Sequence, residues 1–290
     1  MSLTDEARAA CREIAARARS VTIDAERLDA LDPGPAPELD AERHYLEGPP
    51  EDVADYMLAL DSINFGSGWF PTLRKRPGMS GYFTVASSLA DLWRAGDGWS
   101  AGELRALTAE DVASALGQAP GHELMALYAE ALRDLGRFLD GRRAIDVVEE
   151  AGESAERLAS MLAAGMPFFD DVGFWKRAQI VPNDLHLSAV AEFHDLDRLT
   201  IFADNLVPHV LRVDGVLRYE PGLAARIDAG ELLPPGGEER EIRGCAVHAC
   251  ELLSELRGLP ARTIDTALWT RGQAARYKAL PRHRTRTVFY

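Results

Sequence analysis

Asp204 sits in the run LTIFADNLVPHVL, with Ile201, Phe202 and Ala203 on its N-terminal side and Leu206 and Val207 soon after. A carboxylate in apolar surroundings is costly unless it is paired or has a task, so this residue is the first candidate for chemistry. Spacing also supports a plainer role. Asp is favoured at helix N-caps, and a helix through LVPHVLRV, with Pro208 in its first turns, would begin just after it. The roles are compatible, because a cap holds a carboxylate rigidly at a pocket edge. Upstream, WKRAQIVPNDLHL places Lys176 beside aromatic residues and near Asp184. At the other end, LPRHRTRTVFY concentrates Arg282, His283, Arg284 and Arg286 ahead of apolar Val288, Phe289 and Tyr290. A charge run is usually a solvated face. One that closes on apolar residues reads equally well as a tail packed on the body, able to hold a phosphate monoester through charge-assisted hydrogen bonds.

Other patterns lead nowhere chemical. Gly66-Ser67-Gly68 lacks the third glycine and the strand–helix context of a dinucleotide loop, so it reads as a tight turn. Gly78-Met79-Ser80-Gly81 has the wrong spacing for a nucleophile elbow. His122-Glu123 starts like a zinc-protease helix, but Ala126 stands where the second ligand belongs, leaving a helix start. Cys245, His248 and Cys250 cannot converge from one helix, since Cys250 points roughly 140° from Cys245 at 100° per residue. They read as buried thiols, which behave as small hydrophobes.

The elements that must position these residues are helical almost throughout. EDVADYMLALDSI, HELMALYAEALRDLGRFL, SAERLASMLAAG and CAVHACELLSELRG repeat apolar residues at spacings of three and four. Acids follow Thr108 and Pro49-Pro50 in first turns, where the helix dipole favours them. GYFTVASSL and WKRAQIVP are the two places with room for short extended pieces. Asp32–Asp40 and Leu232–Arg240 cluster Pro and Gly and read as loops. Without an internal repeat or a long linker, residues 1–290 read as one mainly α domain.

Composition narrows the class. The formal net charge is −14, which opposes the many phosphate contacts that nucleic-acid binding needs. Long DNA or RNA is therefore an unexpected partner, whereas a small anion needs only a few local cations. Three cysteines give no disulfide framework and suit a reducing cytoplasm. The apolar runs are too short and too charged to cross a membrane. The opening helix contains Asp5, Glu6 and Glu13 and lacks the apolar core of a secretory signal. No pattern specifies an oligomeric state.

Six stretches, in order, resemble a known family, the queuosine salvage proteins: LDSINFGSGW, GYFTVASSL, WKRAQI, LTIFADNLVPHVL, EIRGCAVHACELL and PRHRTRTVFY. They run from Leu60 to the last residue. The resemblance implies hydrolysis of queuosine 5′-monophosphate to free queuine, a small-molecule reaction needing no metal or other cofactor. It also implies a helical fold resembling the helix-hairpin-helix DNA glycosylases. The family's catalytic Asp falls on Asp204, with Phe202 and Asn205 contacting the base. The Lys of its Lys-Arg-Ala-Gln motif falls on Lys176, and His44 resembles a family His ahead of the Asn-Phe pair. Leu206 departs from the Arg that some relatives carry there.

The implied chemistry sets what the site must supply. Breaking the C1′–N bond builds oxocarbenium character on the ribose, which a fixed carboxylate stabilises. Asp204 suits that task, or that of a covalent nucleophile, or that of a base for water. A 7-deazaguanine leaving group lacks the N7 that purine hydrolysis protonates, so weight shifts to the sugar side and to hydrogen bonds such as those of Asn205. The cationic aminomethyl arm with its diol asks for acids, with Asp61 and Asp265 as candidates. Phe65, Trp69, Trp175 and Phe202 are candidates for stacking on the base. Lys176 and the C-terminal group of Arg282, His283, Arg284 and Arg286 are the candidates for the 5′-phosphate. A base glycosylase acting on nucleic acid and a non-catalytic nucleobase-binding protein are the competing readings.

Overall fold

The computed structural model describes residues 2–36 and 38–290; Met1 and Pro37, the latter within the expected loop at 32–40, lie outside the described residues. The chain forms helices α1 (Leu3–Arg17), α2 (Ala25–Ala30), α3 (Pro50–Ser62), α4 (Gly81–Arg94), α5 (Ala101–Ala106), α6 (Ala109–Ala115), α7 (Glu123–Leu139) and α8 (Ala144–Glu150). It continues with α9 (Ala155–Gly165), α10 (Lys176–Leu187), α11 (Leu206–Val213), α12 (Pro221–Asp228), α13 (Gly237–Arg257), α14 (Ala261–Arg271) and α15 (Ala275–Lys278). A short antiparallel pair, β1 (Val21–Ile23) with β2 (Leu217–Tyr219), completes the regular structure. The protein is mainly α. No described helix is long and apolar enough to cross a membrane.

Local sequence explains most of the boundaries. Thr108 caps α6 in a reciprocal pair with Asp111, and Ser100 caps α5 the same way with Glu103. His122 caps α7, so His122-Glu123 is a helix start. Leu124, Tyr128, Leu132, Leu135 and Leu139 then bury one stripe of α7. Burial of each such leucine contributes roughly 1.5–3 kcal/mol. Two segments depart from the sequence expectation: GYFTVASSL is the start of α4, and WKRAQIVP supplies the first turns of α10. Phe83, Val85, Trp175 and Val181 are buried in the core, and tertiary burial overrides strand propensity. The Leu232–Arg240 loop is also shorter than expected, because α13 already begins at Gly237.

Two hydrophobic clusters result. One gathers α3 to α10, with Tyr56, Phe65, Tyr128 and Leu132 deep inside. The other gathers α1, α11 to α14 and the strand pair around Val210, Leu211, Ile242 and Cys250. Cys245 and Cys250 lie buried on α13, where burial pushes the Cys245 thiol up to about 12 and that of Cys250 well above its usual value. They pack as hydrophobes.

Candidate active site

A cavity of about 700 Å³ opens where the two clusters meet. That volume suits a nucleotide-sized ligand. Its wall draws on two stretches of chain: His44, Phe65, Tyr82, Lys176 and Asp184 belong to the first, which ends with α10. Phe202, Asp204, Asn205, Asp265, Trp269, Arg282 and Arg284 come from the second.

Asp204 lies just before α11. Its Oδ1 accepts hydrogen bonds from the backbone N–H groups of Leu206 (2.7 Å) and Val207 (3.3 Å). The N-cap position is Asn205, whose side chain makes no capping bond, and Asp204, one residue earlier than expected for a cap, supplies the capping bonds instead. Two otherwise orphaned amides and the positive end of the helix hold the carboxylate in place. Oδ2 accepts no hydrogen bond from the described residues, so it is available at the cavity wall.

The strand of chain from Thr200 to Asn205 is tied down from four directions. From α10, fully buried Gln179 accepts from the Thr200 N–H (2.9 Å) and donates to the Phe174 carbonyl (2.8 Å). From α14, Asp265 Oδ1 accepts from the Phe202 N–H (2.9 Å). From α13, Arg243 Nε donates to the Ala203 carbonyl (2.9 Å). From the C-terminal tail, the His283 carbonyl accepts from Asn205 Nδ2 (3.0 Å). Arg243 is itself buried and ion-paired with Asp171 and with Glu239 (3.3 Å).

Lys176 opens α10, directly after Trp175, whose φ of 47° is left-handed. Holding a tryptophan there costs about 1–3 kcal/mol, and such strain survives only where surrounding contacts fix it. Lys176 Nζ donates to the Asn64 carbonyl (3.0 Å). Burial lowers its pKa, and the nearby charges of Asp204 and Asp61 oppose that shift. Burial also raises the Asp265 carboxyl well above its usual range, with the charge of Asp204 adding to the effect. Burial lifts Asp184 to about 6, against the Asn183 hydrogen bond and the Lys176 charge. Asp61, fully buried, is raised by burial and then by Asp184. Asp204 therefore stands among two cations, Lys176 and Arg282, and one carboxyl, Asp265, that burial biases towards its protonated form.

His44 is buried and its pKa is lowered by that burial. Its Nδ1 lies 2.9 Å from the Asp40 carbonyl, which can only accept. That assigns the proton to Nδ1 and leaves Nε2 to accept from the Tyr82 hydroxyl at 3.0 Å. Tyr82 and Phe83 pack edge-on against Trp269, each with ring centroids 5.5 Å away.

Not every expected residue reaches the cavity. Arg286 lies on the exposed face, ion-paired with Glu123 at 3.1 Å and stacked over Trp69. Alternation in an extended tail would put all three arginines on one face, yet Arg282 and Arg284 line the cavity while Arg286 is drawn out by its contacts with Glu123 and Trp69. Trp69 and Trp175 are core residues, their indole N–H groups bonded to Glu123 (2.7 Å) and Asp170 (3.3 Å). Asp61 does not line the cavity, whereas Asp265 does. Sequence reasoning missed Tyr82, Trp269 and Asp184 as cavity residues. Asp184 carried a signal, being a carboxylate within an apolar helical run. Tyr82 and Trp269 carried none, because an aromatic on an amphipathic helix reads as core.

The tail is docked. Gly66 N–H donates to the Tyr290 carbonyl (3.0 Å), and Leu233 N–H to that of Arg284 (2.9 Å). The Gly66-Ser67-Gly68 turn is what admits it. Gly66 has φ of 107°, and a Cβ on Gly68 would stand 2.5 Å from the Thr285 carbonyl oxygen.

Comparison with known proteins agrees in one direction. The family model described as queuosine salvage protein matches residues 44–290. A protein of Sphaerobacter thermophilus named queuosine 5′-phosphate N-glycosylase/hydrolase is 35% identical over 96% of both chains. One of Nematostella vectensis with the same name is 29% identical over 82% of both, and one of Mus musculus is 30% identical over 55% of this chain and 56% of its own.

Proposed function

The chain belongs to the queuosine salvage protein family, and we propose that it hydrolyses the N-glycosidic bond of queuosine 5′-monophosphate, releasing queuine and ribose 5-phosphate. Asp204 is the catalytic residue in this reading. The observation that carries it is a carboxylate with one oxygen fixed by two backbone amides and the other unengaged at the wall of a nucleotide-sized cavity.

In the reaction the C1′–N bond breaks with its electrons passing to the base, and a water oxygen forms the new bond to C1′. One proton of that water is lost, and one proton must reach the departing nitrogen. Asp204 Oδ2 beside C1′ stabilises the cationic sugar, a task suited to a group that does not have to move. Lys176 and Asp265 surround it, Phe202 and Asn205 meet the base, and His44 orients the Tyr82 hydroxyl. Arg284 lines the cavity near the sugar phosphate, whereas Arg286 is left out because of its surface ion pair. We assign the activity to residues 1–290 as one unit, acting on a small molecule in the cytoplasm without a metal or organic cofactor.

The test is to follow free queuine from wild type and Asp204→Asn given queuosine 5′-monophosphate, queuosine nucleoside and queuosine-containing tRNA. Wild type should release queuine from the monophosphate, and Asp204→Asn should lose on the order of 1,000-fold or more in kcat while still binding substrate. Release from tRNA alone would replace this reading with a nucleic-acid glycosylase. Queuine binding without release from any substrate would replace it with a binding protein.

A further inference from the structure

We propose that Arg282 is the anion-binding residue of the cavity and the one that makes the enzyme prefer the 5′-phosphorylated substrate; this rests on the function proposed above. Six cations line the cavity among the described residues: Arg43, Lys75, Lys176, Lys278, Arg282 and Arg284. Five are spoken for or solvated. Arg43 pairs with Asp40 at 2.8 Å and lies over Phe83. Lys176 donates to Asn64, and Arg284 donates to the Gly230 carbonyl at 2.5 Å. Lys75 and Lys278 are exposed. Arg282 alone is partly buried with neither a hydrogen bond nor an ion pair to another described residue.

A guanidinium carries five N–H donors, and taking them out of water without a partner is costly. Burial lowers the pKa of Arg282, and the one nearby charge that opposes this is Asp204. Arg282 therefore neighbours the carboxylate assigned to C1′. A ribose 5-phosphate places its phosphate a few bonds from C1′, so one molecule can engage both groups. The planar fork matches two phosphate oxygens at once, which a lysine cannot do. Two backbone features fix the residue. The His283 carbonyl next in sequence accepts from Asn205, and the Arg284 carbonyl accepts from Leu233. The guanidinium is thus presented by a residue whose two successors are both pinned, which lowers the ordering cost of binding. Asp184, on the same wall, acts on Lys176, Asp61 and Tyr82, whereas the charge acting on Arg282 is that of Asp204.

The experiment compares wild type, Arg282→Gln, Arg282→Lys and the surface control Arg286→Gln. Two readouts are kcat/KM for the monophosphate and the nucleoside, and the inhibition constant of ribose 5-phosphate. Arg282→Gln should lose about 10- to 100-fold in kcat/KM for the monophosphate. Its change on the nucleoside should stay below about threefold, and ribose 5-phosphate inhibition should weaken in parallel. Arg282→Lys should fall between, and Arg286→Gln should match wild type. Equal losses on both substrates, or unchanged inhibition by ribose 5-phosphate, would overturn the assignment. Should Arg282→Gln not fold, the ratio for Arg282→Lys decides it. If wild type released no queuine at all, calorimetric titration of ribose 5-phosphate into wild type and Arg282→Lys would still decide the role of Arg282. The reaction assignment would fail separately.

Discussion

The Asp204 carboxylate gives one oxygen to the start of α11 and keeps the other for the cavity, so its position does not depend on the ligand. Asparagine at 204 can keep the capping bonds through its own Oδ1. The expected signature of Asp204→Asn is therefore lost turnover with a melting temperature within a few degrees of wild type, measured by calorimetry; a large drop would show that the charge mainly supports the fold. Asp184 makes a different prediction. Its folded pKa, about 6, lies above the ordinary 3.8, so the proton it holds in the folded state stabilises the protein fully at low pH. That contribution is lost as pH rises from about 4 through about 6, at roughly 1.4 kcal/mol per pKa unit. Asp184→Asn removes the loss while still accepting from Asn183. The melting temperature of the variant relative to wild type should rise between pH 4 and pH 7.5, and a flat difference would refute the account.

At the scale of elements, four tethers bring α10, α13, α14 and the tail onto one short segment. Arg243 is the most exposed to disruption of these, since Asp171 and Glu239 are both buried against it. Arg243→Gln should cost about 3–5 kcal/mol, because it strands two carboxylates. It should also lower kcat, as the Ala203 carbonyl loses its donor; urea unfolding and turnover measured together test both. Gly68→Ala tests the tail. The added methyl meets main chain rather than a flexible side chain, so the tail must shift. We expect a loss of phosphate preference along with stability, and a variant with wild-type kinetics would show that the tail does not shape the cavity.

Across the whole molecule, the cavity lies between two hydrophobic clusters, with walls drawn from both. A ligand that fills it binds only the assembled form, so it stabilises folding by mass action. Queuosine 5′-monophosphate at about 100 times its Kd should add about 2.7 kcal/mol to Asp204→Asn, which binds without turnover. For a protein of this size that corresponds to a rise in melting temperature of several degrees. No shift at saturation would place the ligand elsewhere.

The sequence by itself determined the helical class, because apolar spacings of three and four leave few alternatives. It also determined the candidate carboxylate and its cap, since Asp before an apolar run is a local signal. The family followed from six ordered motifs. Local text misplaced GYFTVASSL and WKRAQIVP, where burial on both sides outweighs residue preference. Only the tertiary structure separated Arg282 and Arg284 from Arg286, and Asp265 from Asp61. Neighbours in sequence share a composition, but which of them faces a cavity depends on where distant chain arrives. Here the Gly66–Gly68 turn receives the C-terminal tail, and that contact decides which guanidinium is left without a partner beside Asp204.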